Sequence, residues 1–249
     1  MRALLAAVLL LLVVAPPAAA DPPPIVRPAN AGGLSPRELG AQLFAGNCAR
    51  CHGSNGEGMA GMGPPLQDAG ALAADFYLRT GYMPLGEPQE QPERSRVRFR
   101  EPEVRALVDY VATLGDGPPV PDVDPEAGSV SQGLEQFTEH CAGCHQVVAE
   151  GGVVTSVRVP PLDRATPVQI AEAVRTGPYV MPKFSESDIS DEELASIIAY
   201  VRYAKAPDDA GGWGIGHLGP FPEGMVTWLI AAVLLVAVCV VIGKRVSRP

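Results

Sequence analysis

The distribution of apolar residues divides the 249-residue chain into two apolar ends and a longer middle with periodic character. Ala3–Val14 is an apolar run behind a basic start, and Ala18–Ala20 offer the small residues of a cleavage site. This layout predicts a secretory signal peptide over residues 1–20, with a retained N-terminal apolar helix as the alternative. Because two prolines follow the run directly, it is short for a membrane span.

The C-terminal apolar run is longer. Met225–Ile242 contains no charged residue, and Lys244, Arg245 and Arg248 follow it at once. A run of this length predicts a transmembrane helix over residues 225–243, and the basic tail over 244–249 predicts a cytoplasmic C-terminus. The rest of an exported chain is then expected on the extracytoplasmic side of the cell membrane.

Capping residues and helical spacing predict helices in the middle of the chain. Ser35-Pro36-Arg37-Glu38 is a capping box for a helix that runs towards Cys48, and Thr166-Pro167-Val168-Gln169 opens another that Gly177 can end. Two further helical faces carry the apolar residues Val104, Leu107, Val108, Val111 and Leu114 and, behind the cap Ser190, Leu194, Ile197, Ile198 and Val201. Alternation with period two is confined to Val153–Val159. The pattern predicts a mainly α protein.

The middle of the chain also repeats itself. Phe44–His52 recurs as Phe137–His145, at an offset of 93 residues. Pro64-Pro65-Leu66, Arg79-Thr80-Gly81 and Met83-Pro84 recur in the same order at residues 160–162, 175–177 and 181–182. We therefore predict two related domains, domain one over residues 35–115 and domain two over 129–206. A proline-rich linker over 116–128 joins them, and a membrane-proximal linker over 207–224 leads to the apolar helix.

Four of the five cysteines lie in two C-x-x-C-H motifs. The motif residues are Cys48, Cys51 and His52 in domain one and Cys141, Cys144 and His145 in domain two. This spacing predicts covalently bound haem, because each thiol can add to one vinyl group while the adjacent histidine ligates the iron. A four-cysteine zinc site would need the two pairs to converge across 93 residues. A thioredoxin-type redox pair needs a βαβ pattern that this sequence does not display, and vicinal disulfides are a third alternative.

A second axial ligand is predicted in each copy. Met83 lies 31 residues after His52 and Met181 lies 36 residues after His145, each directly before a proline. A thioether favours ferrous iron, so we predict the axial pairs His52/Met83 and His145/Met181. The alternative is that these methionines fill the core. In each copy a carbonyl of the Pro-Pro-Leu segment is expected to accept the histidine ring N–H, with simple stiffening of the loop as the alternative.

The charge of the chain limits its partners. The formal net charge is −9, which argues against binding to nucleic acid. Without Arg2 of the signal and the three basic residues of the tail, the part predicted to lie outside the cytoplasm contains 15 basic and 28 acidic residues. The arginine-rich segment Glu87–Glu103 is predicted to be a solvated loop, with docking of an acidic partner as the alternative.

These motifs resemble class I c-type cytochromes, in which a first helix leads into C-x-x-C-H, a loop carries the distal methionine and a final helix crosses the first. The chain is more specifically similar to the dihaem cytochrome cc subunits of actinobacterial menaquinol–cytochrome c reductases. The tandem domains, Thr176–Phe184, and Gly219–Met225 before an anchor containing Trp228 support this narrower match.

The resemblance implies two tandem cytochrome c domains that hold two covalently bound haem c groups, attached to a membrane by the C-terminal helix. It implies the electron-transfer subunit of a quinol–cytochrome c reductase, with no substrate site of its own. Electrons would come from the Rieske iron–sulfur protein and pass to the copper centre of cytochrome c oxidase in aerobic respiration. Its partners would be the cytochrome b subunit, the Rieske subunit and the oxidase, in one supercomplex. The alternatives are a dihaem peroxidase and a dihaem subunit of another terminal oxidase.

Overall fold

The computed structural model describes residues 24–207 and 220–246. The predicted signal peptide over 1–20, most of the predicted membrane-proximal linker and the last three residues lie outside this part of the chain. The chain divides into two compact units, Met1–Lys205 and Ala206–Pro249. Each is considered by itself.

The described part of the first unit is mainly helical, as predicted, with a small antiparallel hairpin in its second half. Its helices are α1 (Pro36–Asn47), α2 (Ala49–His52), α3 (Gly70–Arg79), α4 (Glu101–Val111), α5 (Val130–His140), α6 (Ala142–His145), α7 (Pro167–Thr176) and α8 (Asp191–Lys205). Strands β1 (Gly152–Val154) and β2 (Val157–Val159) pair with Val153 opposite Arg158. A 3₁₀ turn at Ala31–Gly33 precedes α1.

Domain one is organised by the crossing of its first and last helices. The predicted capping box is confirmed, because the Ser35 hydroxyl accepts the Glu38 N–H and the Glu38 carboxylate accepts the Ser35 N–H. Helix α1 packs on α4 at Gly40, where an added Cβ would collide with the Ala106 carbonyl. Around this crossing lies a core of buried residues: Leu43, Phe44, Leu78, Phe99, Val104, Leu107, Val108 and Val111.

Domain two repeats the arrangement with α5 and α8. Gly133, 93 residues after Gly40, lies so close to the Ser196 carbonyl that it cannot carry a side chain. The Phe137 ring packs on Tyr200 at 5.3 Å between centroids, as Phe44 packs on Tyr110 at 5.2 Å in domain one. The core comprises Phe137, Cys141, Ala149, Ile170, Ala171, Val174, Ile189, Leu194, Ile197, Ile198, Tyr200 and Val201. The repeat in the sequence is therefore a repeat of tertiary structure.

Other local predictions are also confirmed. The Thr166 hydroxyl and the Gln169 side chain form a capping box that begins α7, and Gly177 ends this helix in the left-handed conformation with φ of 66°. Ser190 and Glu193 exchange hydrogen bonds at the start of α8. The alternating segment Val153–Val159 forms the hairpin.

The two domains contact each other through α3 and α7. The prediction that Glu87–Glu103 is simply a solvated loop is wrong for part of this segment. Arg94 Nη2 donates to Gln169 Oε1 at 2.6 Å, and Gln91 Nε2 donates to the Arg158 carbonyl at 2.7 Å. Because both acceptors belong to domain two, this part of the segment holds the domains together.

The described part of the second unit contains α9 (Pro220–Val246). Its stretch Gly224–Val246 has a mean hydropathy of 3.0 and no buried residue. Lys244 and Arg245 lie in its last turn. By length and composition this helix is able to cross a membrane.

Candidate functional site

Each C-x-x-C-H motif follows directly on the first helix of its domain. The Cys48 N–H donates to the Phe44 carbonyl at 2.8 Å and the Cys141 N–H to the Phe137 carbonyl at 2.9 Å, which continues the helical hydrogen bonding to the motif. The short helices α2 and α6 then carry the second cysteine and the histidine. The packed Phe44 and Phe137 therefore fix the position of each motif against the core.

Cleft one, in domain one, brings together three of the four predicted site residues of that domain. Cys48, His52 and Met83 line it, and its space outside protein atoms amounts to about 1160 Å³, part of it open to solvent. Cys51 lies half-buried on the same turn but does not line the cleft. Most of the other lining residues are apolar, among them Leu66, Leu72, Leu78, Leu107 and Val111.

Cleft two, in domain two, brings together all four predicted residues. Cys141, Cys144, His145 and Met181 line about 1280 Å³ of space, again partly open to solvent. Its wall is mostly apolar and includes Val159, Leu162, Ile170, Val174, Ile197 and Val201. Both clefts have the apolar character of sites for large organic cofactors.

The expected hydrogen bond to each histidine is confirmed. His52 Nδ1 lies 2.8 Å from the Pro64 carbonyl oxygen, and His145 Nδ1 lies 3.2 Å from that of Pro160. Because a carbonyl only accepts, Nδ1 carries the proton and donates it. The lone pair of Nε2 is then available to a metal ion, and no hydrogen bond within the described ranges occupies Nε2.

Burial sets the protonation of these groups. It lowers the pKa of His145, which favours the neutral imidazole that ligates a metal. Burial, with the neighbouring cysteine of the motif, raises the pKa of Cys48 to about 12 and that of Cys141 to about 11. The cysteines of both motifs are free. Thiols that stay protonated at neutral pH are poor thiolate ligands for a metal ion.

Loops that follow α3 and α7 deliver the two methionines. The Met83 N–H donates to the Tyr77 carbonyl at 3.1 Å and the Met181 N–H to the Pro178 carbonyl at 3.0 Å. These main-chain contacts hold each methionine in the same cleft as the motif of its domain. An imidazole nitrogen and a thioether sulfur are ligands that suit the iron of haem c, and two thiols suit its covalent attachment.

The sequence did not indicate that each cleft also contains residues of the other domain. Tyr82 and Arg94 of domain one line cleft two, whereas Arg175 and Lys183 of domain two line cleft one. No local pattern marks such residues, because their position depends on how α3 packs against α7.

Paired helix crossings, each with a C-x-x-C-H motif on the rim of an apolar cleft, place the chain in the class of c-type cytochromes. Comparison with protein-family models agrees with this assignment. The model "Cytochrome c" matches residues 38–115, and the model "Cytochrome C oxidase, cbb3-type, subunit III" matches residues 128–201. Cytochrome c domains of this kind bind haem c covalently.

Curated relatives narrow the assignment. The chain is 35% identical over 226 residues to the cytochrome bc1 complex cytochrome c subunit of Corynebacterium diphtheriae, covering 83% of this chain and 80% of the relative. It is 37% identical over 216 residues to the subunit of the same name in Mycobacterium tuberculosis strain H37Rv, covering 83% and 77%. The chain therefore belongs to the family of cytochrome bc1 complex cytochrome c subunits. The similarity to the Cbb3-type cytochrome c oxidase subunit CcoP of an Azospirillum species is weaker. The two chains are 29% identical over 188 residues, which cover 66% of this chain and 60% of the relative.

Proposed function

We propose that the chain is the dihaem electron-transfer subunit of a menaquinol-oxidising cytochrome bc complex. Cys48 and Cys51 would attach one haem c, and Cys141 and Cys144 the other. The axial ligands would be His52 with Met83 and His145 with Met181. The observation that carries this proposal is the presence of two equivalent clefts, each lined by motif cysteine, histidine and methionine, in one chain of this family.

The residues of the chain prepare each cleft for rapid electron exchange. Haem c, when bound, supplies a one-electron couple between ferric and ferrous iron. The carbonyls of Pro64 and Pro160 hold the imidazoles in one tautomer, so that no proton has to move. The apolar walls would limit the contact of a bound haem with water, and a methionine thioether would stabilise the ferrous state, so both features favour a high reduction potential. With His52 and Met83 holding one iron and His145 and Met181 the other, no ligand position would be left for a substrate.

The proposed path runs from the Rieske iron–sulfur protein, through this subunit, to the copper centre of cytochrome c oxidase. The cytochrome b subunit and the oxidase would lie beside it in a supercomplex. Attachment by α9, with its basic last turn in the cytoplasm, would keep both clefts on the extracytoplasmic side. A tethered carrier does not need to diffuse, which suits a chain whose acidic character gives it no attraction to anionic lipid.

Affinity purification through a tag on this subunit, in mild detergent, tests the assignment. We expect the cytochrome b subunit, the Rieske protein and cytochrome c oxidase to be recovered together, with two haem c per chain by the pyridine haemochrome method. The paired variant Cys141→Ala/Cys144→Ala should retain one haem, as should Cys48→Ala/Cys51→Ala. Recovery of the chain with none of these partners would contradict the proposed complex.

A second candidate is a dihaem subunit of a cbb3-type oxidase. The family model over residues 128–201 and the similarity to CcoP favour it. The same purification separates the two, because an oxidase subunit would bring down the catalytic oxidase subunit without cytochrome b. The higher identity and coverage of the bc1 complex subunits support the first candidate.

A further inference from the structure

Clefts one and two share a wall. Tyr82 lines cleft two, and the next residue, Met83, lines cleft one. In domain two, Met181 lines cleft two and Lys183 lines cleft one. Residues this close in sequence span only a few ångströms of chain, about 3.5 Å per residue at most. The methionine-bearing loops and the helices before them, α3 and α7, therefore form one partition that is exposed to both clefts.

The partition carries a cation from domain two into cleft one. Lys183, an exposed residue, lines this cleft, and no hydrogen bond or ion pair within the described ranges engages its ammonium group. Arg175 also lines cleft one, but its guanidinium donates to main-chain carbonyls and pairs with Asp191 at 2.8 Å. Domain one itself contributes only the acidic Asp68 to the permanent charges of its cleft. Of the two cations that line cleft one, Arg175 is already paired, so Lys183 is the one available to an anionic group there.

Cleft two also receives a cation from domain one, in addition to its own Arg158, which lines the cleft and pairs with Glu93 at 3.6 Å. Arg94 lines the cleft, and its Nη2 donates to the buried Gln169 of α7 at 2.6 Å. Gln91 fixes the segment, because its side-chain amide donates to the Arg158 carbonyl at 2.7 Å and accepts the Arg158 N–H at 3.4 Å. Guanidinium has five donors, so one bond to Gln169 leaves the others available to an acceptor in the cleft.

A haem carries two propionate carboxylates, and its iron site gains one negative charge on reduction. A cation close to such a site stabilises the reduced state more than the oxidised state, and balances the carboxylates. Removal of the cation therefore lowers the midpoint potential of the haem site. The size of this effect depends on how far water screens the cation, and Lys183 is exposed whereas Arg94 is half-buried.

We propose that the two domains exchange cations: Lys183 of domain two raises the midpoint potential of the haem site in domain one, and Arg94 of domain one raises that of the site in domain two. The proposal rests on the proposed function, because it requires a haem in each cleft. Both residues act on the electrostatics of the neighbouring site and are not ligands. Each site thereby depends on correct packing of the other domain.

Spectroelectrochemical titration of the full-length haem-loaded protein in detergent tests this exchange. The variants are Lys183→Gln and Arg94→Gln, and the Met83→His background, with its altered spectrum, identifies the haem of cleft one. We expect Lys183→Gln to lower the potential of the cleft-one haem and Arg94→Gln that of the cleft-two haem. Each change should reduce the ratio of reduced to oxidised haem at a fixed potential by roughly three- to tenfold, where tenfold corresponds to about 59 mV.

Charge-preserving variants separate this effect from a structural one. Lys183→Arg and Arg94→Lys should retain potentials close to wild type. Arg164→Gln is the matched control, because this exposed residue of domain two pairs only with its neighbour Asp163 and lines neither cleft. A shift in the haem of the variant's own domain, or no shift, would overturn the proposal. Purified protein without haem would overturn the proposed function as well, whereas two haems with unchanged potentials would overturn the exchange alone.

Discussion

At the scale of single residues, the chemistry of the site depends on main-chain acceptors. His52 and Pro64 are 12 residues apart, and His145 and Pro160 are 15 residues apart, yet each pair makes the same contact. Loops of different length therefore end in the same hydrogen bond. The carbonyl does not titrate, so each Nδ1–H keeps an acceptor whose charge does not change with pH.

Replacement of the distal methionines tests the proposed ligands. Met83→His should lower the midpoint potential of one haem and Met181→His that of the other, because an imidazole stabilises ferric iron relative to a thioether. The expected shift is on the order of 0.1 V, a part of the range of about 0.8 V that axial ligands cover. Redox titration with optical detection measures it. Met59→His serves as a control, since Met59 lies in a turn outside both clefts. Unchanged potentials in both variants would assign the sixth ligand to other residues.

At the scale of secondary structure elements, the crossing of the first and last helices shapes each domain. Gly40 and Gly133 allow α1 and α5 to approach the backbones of α4 and α8. Close approach brings the aromatic pairs Phe44–Tyr110 and Phe137–Tyr200 into contact. Since the motif helix follows directly on each first helix, the crossing also determines where the histidine lies.

Substitution at these crossings should weaken the fold. Gly40→Ala and Gly133→Ala force backbones apart, so each should reduce the free energy of unfolding by about 1–3 kcal/mol. Denaturant unfolding followed by far-ultraviolet circular dichroism provides the measurement. Gly33→Ala is the matched control, because a Cβ at Gly33 meets no atom within 4 Å. Equal stability of Gly40→Ala and Gly33→Ala would show that the helices separate without cost.

At the scale of the whole first unit, the domain interface contains a buried carboxyl pair. Glu172 of α7 is fully buried, and neither of its oxygens receives a hydrogen bond. The nearby Asp75 of α3 accepts from Arg79 at 2.8 Å, and Arg79 in turn pairs with Glu101 at 2.6 Å. Burial and the charge of Asp75 raise the pKa of Glu172 to about 9. At neutral pH Glu172 is therefore protonated, beside the Asp75 carboxylate across the interface.

This carboxyl pair predicts a pH-dependent stability. The folded state holds the Glu172 proton up to about pH 9, whereas the unfolded chain releases it near the ordinary value of 4.5. The unfolded state thus binds fewer protons between these values, and stability falls as pH rises through this window. Glu172→Gln keeps a neutral side chain of the same shape beside Asp75 but removes the titration. We expect it to be more stable than wild type at pH 8, by on the order of 1–3 kcal/mol, and equal to it near pH 4.5.

Denaturant titrations at several pH values measure the difference between the two proteins. Glu135→Gln is the control, because Glu135 is exposed on α5 and should give the same difference from wild type at every pH. A Glu172→Gln variant that tracks wild type from pH 5 to pH 9 would mean that Glu172 is ionised in the folded protein.

Capping residues in the sequence were sufficient to predict those helix starts whose stabilising hydrogen bonds are made within a few residues. Capping side chains at Ser35, Thr166 and Ser190 predicted the starts of three helices, because the cap satisfies N–H groups only a few residues away. Helix α3 carries no such signal. It begins at Gly70 with φ of 62° and has no capping side chain. The close approach of Gly117 and Pro118 to Gly70 explains this glycine, and that approach is a matter of tertiary packing.

By itself, the sequence predicted the fold class, the repeat, the apolar C-terminal helix, and the candidate motif and methionine residues of each domain, because spacing along the chain governs all of these. The tertiary structure alone decided which residues cross between the domains. Arg94 and Glu172 have the sequence context of ordinary surface charges, and Lys183 that of a loop residue. Their positions depend on the packing of α3 against α7, which joins residues about 75 to 100 positions apart and leaves no periodic trace in either segment.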